Sequence, residues 1–250
     1  MSKIEWTERT WNPTTGCTKI SAGCKNCYAE TMAIRLKAIG IKGYENGFKF
    51  SIVPARLEEP LKRKKPTIYF VNSMSDLFHQ DMPLYYLEKI FDIIKKTPYH
   101  TYQILTKRAD KMYEYFKDKD IPGNVWLGVT VENKKEGIPR IKYLQRLRAK
   151  VLFLSIEPLL EDLGTLNLKN IDWVIVGGES GHKARPMEKE WVLNIKKQCD
   201  DENIAFFFKQ WGTWGADKIK RNKKLNGNEI NGKIWQDYPP IIKERYALAL

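Results

Sequence analysis

Six short apolar runs, each rich in β-branched and aromatic residues, recur along the chain and set its fold class. They cover residues 67–72 (TIYFVN), 101–105 (TYQIL), 125–131 (VWLGVTV), 151–156 (VLFLSI), 173–176 (WVIV) and 204–208 (IAFFF). Each run is continuous rather than alternating, the pattern of a strand buried on both faces of a parallel sheet. Between them lie stretches of helical periodicity at 83–96, 108–116, 134–148 and 188–201. Pro83 suits the first turn of its helix, where a missing N–H costs little. A further helix is expected to begin near Tyr28 and stop at Gly40, and a seventh strand is expected near 4–6. Strands alternating with helices imply βαβ units. This many strands without a switch-point signature predicts an α/β fold, a complete or partial (β/α) barrel with parallel strands. The expected organisation is a barrel domain over 1–212, including an N-terminal cysteine loop, followed by a basic C-terminal extension over 213–250.

Hydrophobic residues make up 42% of the 250, enough for a sizeable core, which excludes whole-chain disorder. No run approaches the ~18 apolar residues of a membrane span, and the N-terminus has no signal-peptide pattern. The expectation is a cytoplasmic protein with no membrane partner. The formal net charge of +13 suits a polyanionic partner, nucleic acid first. Five basic residues fall in the seven positions 218–224, among them Lys218, Lys220 and Arg221. They read either as a solvated face or as a phosphate-contacting arm, and neighbouring Asn–Gly pairs signal a hairpin or loop. The KRKK run at 62–65 reads the same way.

Four cysteines are too few for a disulfide scaffold, and three of them cluster within eleven residues. Cys17, Cys24 and Cys27 are spaced C-x6-C-x2-C in a loop with Gly16 and Gly23. The Cys24–Cys27 spacing is the short chelate of both zinc and iron–sulfur sites. Three thiolates this close repel one another unless a cation neutralises them. Structural zinc needs a fourth ligand, and none of His79, His100, His182 or Cys199 stands at a local spacing that completes the site. A [4Fe–4S] cluster held by three cysteines leaves one iron open for a cofactor. Cys199, inside a helical stretch, reads as a packed core thiol.

The strand runs end in chemically able residues: Ser73 and Asp76, Lys107 and Arg108, Thr130 and Glu132, Ser155 and Glu157, Glu179, and Lys209. In barrels the C-terminal strand ends form the rim that carries active sites. Trp211 and Trp214 flank Gly212 just after the last run. With Lys209 they could stack a base beside a phosphate contact, or they could simply close the barrel and pack the tail. Of the familiar hydrolase motifs, no G-x-S-x-G elbow, phosphate loop or H-E-x-x-H occurs.

The segments WNPTTGC, GCKNCYAE, GGESG and FKQWG, at 11–17, 23–30, 177–181 and 208–212, resemble a phage and prophage protein family of unknown function. CKNCYAE is also similar to the end of the cysteine loop of radical S-adenosylmethionine enzymes, especially the spore photoproduct lyase-like branch. NSMSDLF, ILTKR, GVTVEN and LSIEPLL look like that branch too. Two features depart from the superfamily pattern. The first cysteine gap is six residues where three is usual, and Asn26 replaces the aromatic before the last cysteine, with Tyr28 on its other side. The Gly–Gly–Glu at 177–179 follows a late strand, so the superfamily role of holding the methionine amine is not carried to it.

The resemblance implies that Cys17, Cys24 and Cys27 hold a [4Fe–4S] cluster whose open iron binds S-adenosylmethionine, with a 5′-deoxyadenosyl radical as the reactive product. Ser73 and Asp76 are then candidates for the methionine amine or ribose, and Thr130, Glu132, Ser155 and Glu157 for ribose and adenine. Lys107 and Arg108 suit a carboxylate or phosphate, and Lys107 and Glu179 are the candidate catalytic residues. Glu179 is an acceptor or base, or its motif is only a glycine turn ending a strand. The implied substrate is a nucleic-acid base or nucleotide for modification or repair, contacted by Arg108, Lys209, Trp211, Trp214, Lys218, Lys220 and Arg221. The implied partners are an electron donor such as flavodoxin or ferredoxin, and a phage-encoded protein. Two other classes fit part of the sequence. They are a zinc-stabilised nucleic-acid-binding protein without radical chemistry and a metal-independent barrel hydrolase or lyase.

Overall fold

The computed structural model describes residues 4–241. The elements in chain order are β1 (Arg9–Trp11), β2 (Thr14–Thr15), α1 (Tyr28–Ala38), β3 (Ser51–Ile52), β4 (Ile68–Val71), α2 (Leu84–Lys96), β5 (Thr101–Thr106), α3 (Ala109–Phe116), β6 (Val125–Thr130) and α4 (Gly137–Leu144). They continue with β7 (Val151–Ile156), β8 (Trp173–Gly177), α5 (Lys189–Asp201), β9 (Ala205–Gln210), α6 (Lys223–Asn226), β10 (Glu229–Ile230) and β11 (Lys233–Ile234). Seven strands form one sheet in the order β1-β4-β5-β6-β7-β8-β9, the parallel half-barrel of a partial (β/α) barrel. All six apolar runs of the sequence are strands of this sheet, and four of them (β4, β6, β7 and β8) are buried along their whole length.

The first strand lies at Arg9–Trp11, where it pairs in parallel with β4, and not at 4–6. Trp6 is buried all the same, with its ring 4.7 Å from Phe70, so it caps the core from a turn. The helix expected over 134–148 is shorter than its periodicity, because α4 covers only Gly137–Leu144. α2 buries Tyr86, Leu87, Ile90, Phe91, Ile93 and Ile94, the i, i+3, i+4 spacing of one apolar stripe. α1 is different: only the small Ala29 and Ala33 are buried, and they pack with Tyr44 and Met74.

The chain divides into two compact units, residues 1–128 with 146–150, and 129–145 with 151–250. In the first, β1, β4 and β5 pair in parallel, and the short ladder β2–β3 brings Thr14–Thr15 onto Ser51–Ile52. In the second, β8 pairs in parallel with both β7 and β9. The segment after β9 folds back onto this unit. Phe208 N–H donates to Trp235 O at 2.7 Å, and Asp237 N–H donates to Phe206 O at 3.0 Å. Phe207 and Gln236 form an antiparallel bridge. An exposed outer strand is a template for unwanted pairing, and this return covers it. β10 and β11 form a hairpin whose turn residues Asn231 and Gly232 both have positive φ, 54° and 73°, as a type I′ turn requires.

Candidate functional site

The cysteine loop leaves β2 and enters α1, and its first residues are fastened to the segment after β4 and to the segment before β3. Gly16 N–H donates to Met74 O at 2.9 Å, Ser75 Oγ donates to Gly16 O at 2.7 Å, and Cys17 N–H donates to Phe48 O at 3.0 Å. Gly16 sits at φ +73° with Lys49 O only 2.2 Å from where a Cβ would lie, so no other residue fits there. Cys24 ends a 3-10 turn over Ala22–Cys24, with its Sγ 3.7 Å from Ser21 Oγ. Cys27 is the N-cap of α1 and packs against Ala29, Ala33, Tyr44 and Met74. Lys19 and Glu30, 2.6 Å apart, tie the loop to the helix.

All three thiols are half-buried and none is in a disulfide. Burial pushes the Cys17 thiol above its ordinary value. The Asp76 carboxylate and the neighbouring Cys24 add to that, against the lowering effect of Arg108. Among the described residues no three His, Cys, Asp or Glu side chains converge on one metal position. Of the other zinc-ligand candidates, His100 uses both ring nitrogens, with Thr67 N–H and Pro60 O. His79 uses both as well, with Asp81 N–H and Thr18 Oγ1. Cys199 is fully buried in α5, and burial pushes its thiol up to about 12.

Asp76 and Arg108 link the loop to the strand ends. Asp76 Oδ1 accepts from Phe78 N–H and Thr106 Oγ1, and its Oδ2 accepts from Lys107 N–H and from Arg108 Nη1 at 3.0 Å. The same Nη1 donates to Cys17 Sγ at 3.6 Å, and Nη2 donates to Thr18 O at 3.1 Å. Arg108 is 6% exposed, and its fork faces the cysteine loop. Ser73 Oγ donates to Asn12 Oδ1, and Tyr28 Oη donates to Ser73 O. The structure thus brings Cys17, Asp76, Lys107 and Arg108 together, with Ser73 beside them. Asn12, Thr18 and Phe50 belong to the same cluster and escaped the sequence reading, and His79, weighed there only as a zinc ligand, joins them through Thr18 and Phe50. The only sequence signal for Asn12 and Thr18 was their place beside the loop.

In the second unit, Glu132 is fully buried and is held by Arg140 of α4, whose Nη1 also donates to Thr130 O at 2.8 Å. Glu157 and Lys209, from the ends of β7 and β9, pair at 2.9 Å, and Ser155 Oγ is 3.5 Å from Glu157 Oε2. Gly177 makes room for this pair, since a Cβ there would meet Glu157 Oε1 at 2.6 Å. Glu179 is gripped by Arg185 through its backbone N–H, Nε and Nη2, at 2.8, 2.9 and 2.6 Å.

GGESG and FKQWG pack on each other. A Cβ at Gly178 would fall 1.9 Å from Trp211 O, and one at Gly212 would fall 2.2 Å from Glu179 O. Trp211 is buried, its ring centroid 4.9 Å from that of Phe208 and its Nε1 donating to Glu229 O. Trp214 is half-buried with Nε1 on Ala184 O, and Lys220 lies 5.8 Å over its ring. Lys218 pairs with Glu188 at 2.9 Å and Arg221 with Asp217 at 2.6 Å, all on the surface.

Comparison with solved structures returns spore photoproduct lyase. A cysteine-to-serine mutant is 17% identical with a TM-score of 0.48, over 71% of this chain and 57% of its own. The lyase complexed with dinucleoside spore photoproduct is 15% identical with a TM-score of 0.44, over 74% of this chain and 58% of its own. A doubly substituted mutant with bound AdoMet and dinucleoside spore photoproduct is 14% identical with a TM-score of 0.45, over 76% and 60%. The chain thus spans less than two thirds of the length of these lyase chains. No curated protein matches the sequence. No described helix is long and apolar enough to cross a membrane. The model of the family described as "Protein of unknown function (DUF5131)" matches residues 1–239, and the chain belongs to that family.

Proposed function

We propose that the chain is a radical S-adenosylmethionine enzyme that modifies or repairs a nucleic-acid base or nucleotide. The observation that carries this reading is the all-thiol donor set on one loop. Cys17, Cys24 and Cys27 lie within eleven residues, none is in a disulfide, and no carboxylate or imidazole stands between them. Three soft thiolates without a fourth local ligand fit a [4Fe–4S] cluster in donor chemistry. Zinc is disfavoured because His79 and His100 are engaged at both nitrogens and Cys199 is a core thiol. Two buried polar atoms next to the loop, Thr14 Oγ1 and Asn72 Nδ2, have no hydrogen-bond partner among the described residues. Such atoms cost free energy unless a bound group meets them.

When bound, the cluster supplies the single electron that starts radical chemistry on S-adenosylmethionine. The chain's own residues bind and orient. The three thiols do not converge on one metal position as they stand, so loading a cluster would have to draw them together. Ser73 and Lys107 are assigned to cofactor or substrate contacts. In the second unit Thr130, Ser155 and Glu157 are assigned to polar contacts with a bound ligand, and Lys209, which pairs with Glu157, to the nucleic-acid substrate. There, Glu132 and Glu179 are held by arginines that fix their orientation. Lys218, Lys220, Arg221 and Trp214 are assigned to a nucleic-acid strand, which suits the net charge of +13.

The test is anaerobic purification followed by iron, sulfide and zinc analysis and a visible spectrum. About four irons and four sulfides per chain, with a brown band bleached by dithionite, are the expected result. Single C17A, C24A and C27A variants should lose the colour and keep the fold. One zinc and no colour would overturn the reading in favour of a zinc-stabilised nucleic-acid-binding protein.

A further inference from the structure

A side-chain cation, Arg108, stands against Cys17. Arg108 Nη1 stands between two acceptors, Cys17 Sγ at 3.6 Å and Asp76 Oδ2 at 3.0 Å, while Nη2 holds Thr18 O at 3.1 Å. Its mobility is removed from the other side. Asp76 is 6% exposed, and each of its oxygens accepts two hydrogen bonds, three of them from Phe78, Thr106 and Lys107. Arg108 N–H itself donates to Thr106 Oγ1 at 2.9 Å, which fixes the backbone at the root of the side chain. Thr18 is held a second time, by His79 at 2.9 Å. Cys17 is thereby pre-placed. Cys24 and Cys27 show no comparable contact with a cation among the hydrogen bonds and ion pairs of the described residues.

We propose that Arg108 is a positioning residue for the thiol-bound group. It fixes the Cys17 sulfur through a charge-assisted hydrogen bond, and Asp76 sets how much of its charge that sulfur feels. The inference rests on the iron–sulfur reading above and goes beyond it by giving one ligand a dedicated counter-cation. The physics predicts a signed effect. Reduction adds an electron, so a fixed positive group beside a ligating sulfur favours the reduced form, and a fixed negative group disfavours it. Removing Arg108 should therefore lower the midpoint potential. Removing the charge of Asp76 leaves the guanidinium uncompensated and should raise it.

The experiment reconstitutes wild type, R108Q, R108K and D76N anaerobically. It measures iron and sulfide content, melting temperature, and the midpoint potential by dithionite titration in the visible band. The expected result is a more negative potential in R108Q and a more positive one in D76N. R108K keeps the charge but not the fork, and should load less iron than wild type with a potential between those of wild type and R108Q. A merely structural role would not move the potentials in opposite directions. Equal potentials in wild type and D76N, or an R108K that matches wild type in both iron content and potential, would overturn the inference while the cluster stands. These two arms decide the matter even if R108Q does not fold. A wild type that takes up zinc or no metal overturns the parent reading and this inference together, and the metal analysis shows that before any potential is measured.

Discussion

His79 lies flat on Phe50, with ring centroids 4.4 Å apart and an interplanar angle of 3°. Its Nδ1 accepts from Asp81 N–H at 3.1 Å, which leaves Nε2 as the donor to Thr18 Oγ1. Burial pulls its pKa below the ordinary 6.5, the charge of Arg108 adds to that, and Asp81 and Asp76 do not reverse it. A lowered folded-state value contributes stability that is fully present above pH ~6.5 and is lost as pH falls through the folded value. The melting temperature should therefore drop on acidification below pH ~6.5, and the drop should be shallower in H79Q. Parallel curves for the two proteins would refute a contribution from His79. Cys199 obeys the opposite sign. Its thiol is pushed up to about 12 by burial, with Asp200 adding, so its contribution holds below the unfolded value near 9 and is lost as pH rises toward 12. In the folded, metal-free protein at pH 8, iodoacetamide should label the half-buried Cys24 and Cys27 and spare the buried Cys199, as read by peptide mass spectrometry before and after denaturation.

At the level of elements, GGESG and FKQWG are a single joint between the ends of β8 and β9. Gly178 N–H donates to Gln210 O at 2.9 Å, Thr213 N–H donates to Glu179 O at 2.9 Å, and Gln210 Nε2 donates to Ser180 Oγ. Backbone meets backbone where side chains would normally stand, so neither glycine can be replaced without moving a strand end. G178A should destabilise the chain by about 3 kcal/mol or more, since the new methyl overlaps a carbonyl rather than a flexible side chain. Urea denaturation measures this, and a loss under about 0.5 kcal/mol, the range of neutral surface changes, would show that the joint yields. The return of the chain over β9 matters as much. Trp173 Nε1 donates to Asp237 O at 2.9 Å, and its ring lies 5.4 Å from that of Tyr238. Truncation after Gly212 should uncover the β9 edge and give aggregates on size-exclusion chromatography.

For the whole molecule, the charge of +13 is unevenly available. Lys218 and Arg221 are partly offset by Glu188 and Asp217, whereas Lys220 donates to an uncharged carbonyl, His182 O at 2.8 Å. Binding to single-stranded DNA should weaken as salt rises. Replacing Lys220 and Lys224 by alanine should reduce the log–log salt slope by about 0.7 for each phosphate that is no longer neutralised. R221A should change it less, because Asp217 already balances that charge. Fluorescence anisotropy across a salt series checks this, and a slope unaffected by the double replacement would remove the segment from the proposed interface.

The six apolar runs were legible as strands because burial on both faces writes itself as an unbroken stretch, and the run at 151–156 coincides with β7 to the residue. β1 was misplaced because three residues, one of them the exposed Arg9, leave no such stretch, while the more apolar Ile4–Trp6 segment is only a turn against the core. The cysteine loop was legible from its spacing, and so was the chemistry of its donors. The pairings were not. Arg108 meets Cys17 across 91 positions of sequence, and Asp76 meets Arg108 across 32. Parallel β/α connections carry the chain back before each strand, so residues far apart in sequence end side by side at the same end of the sheet. Local composition determined which residues are buried and which thiols share a loop. The tertiary structure alone decided which cation faces which sulfur, because that contact is made by the register of strands and not by any sequence period.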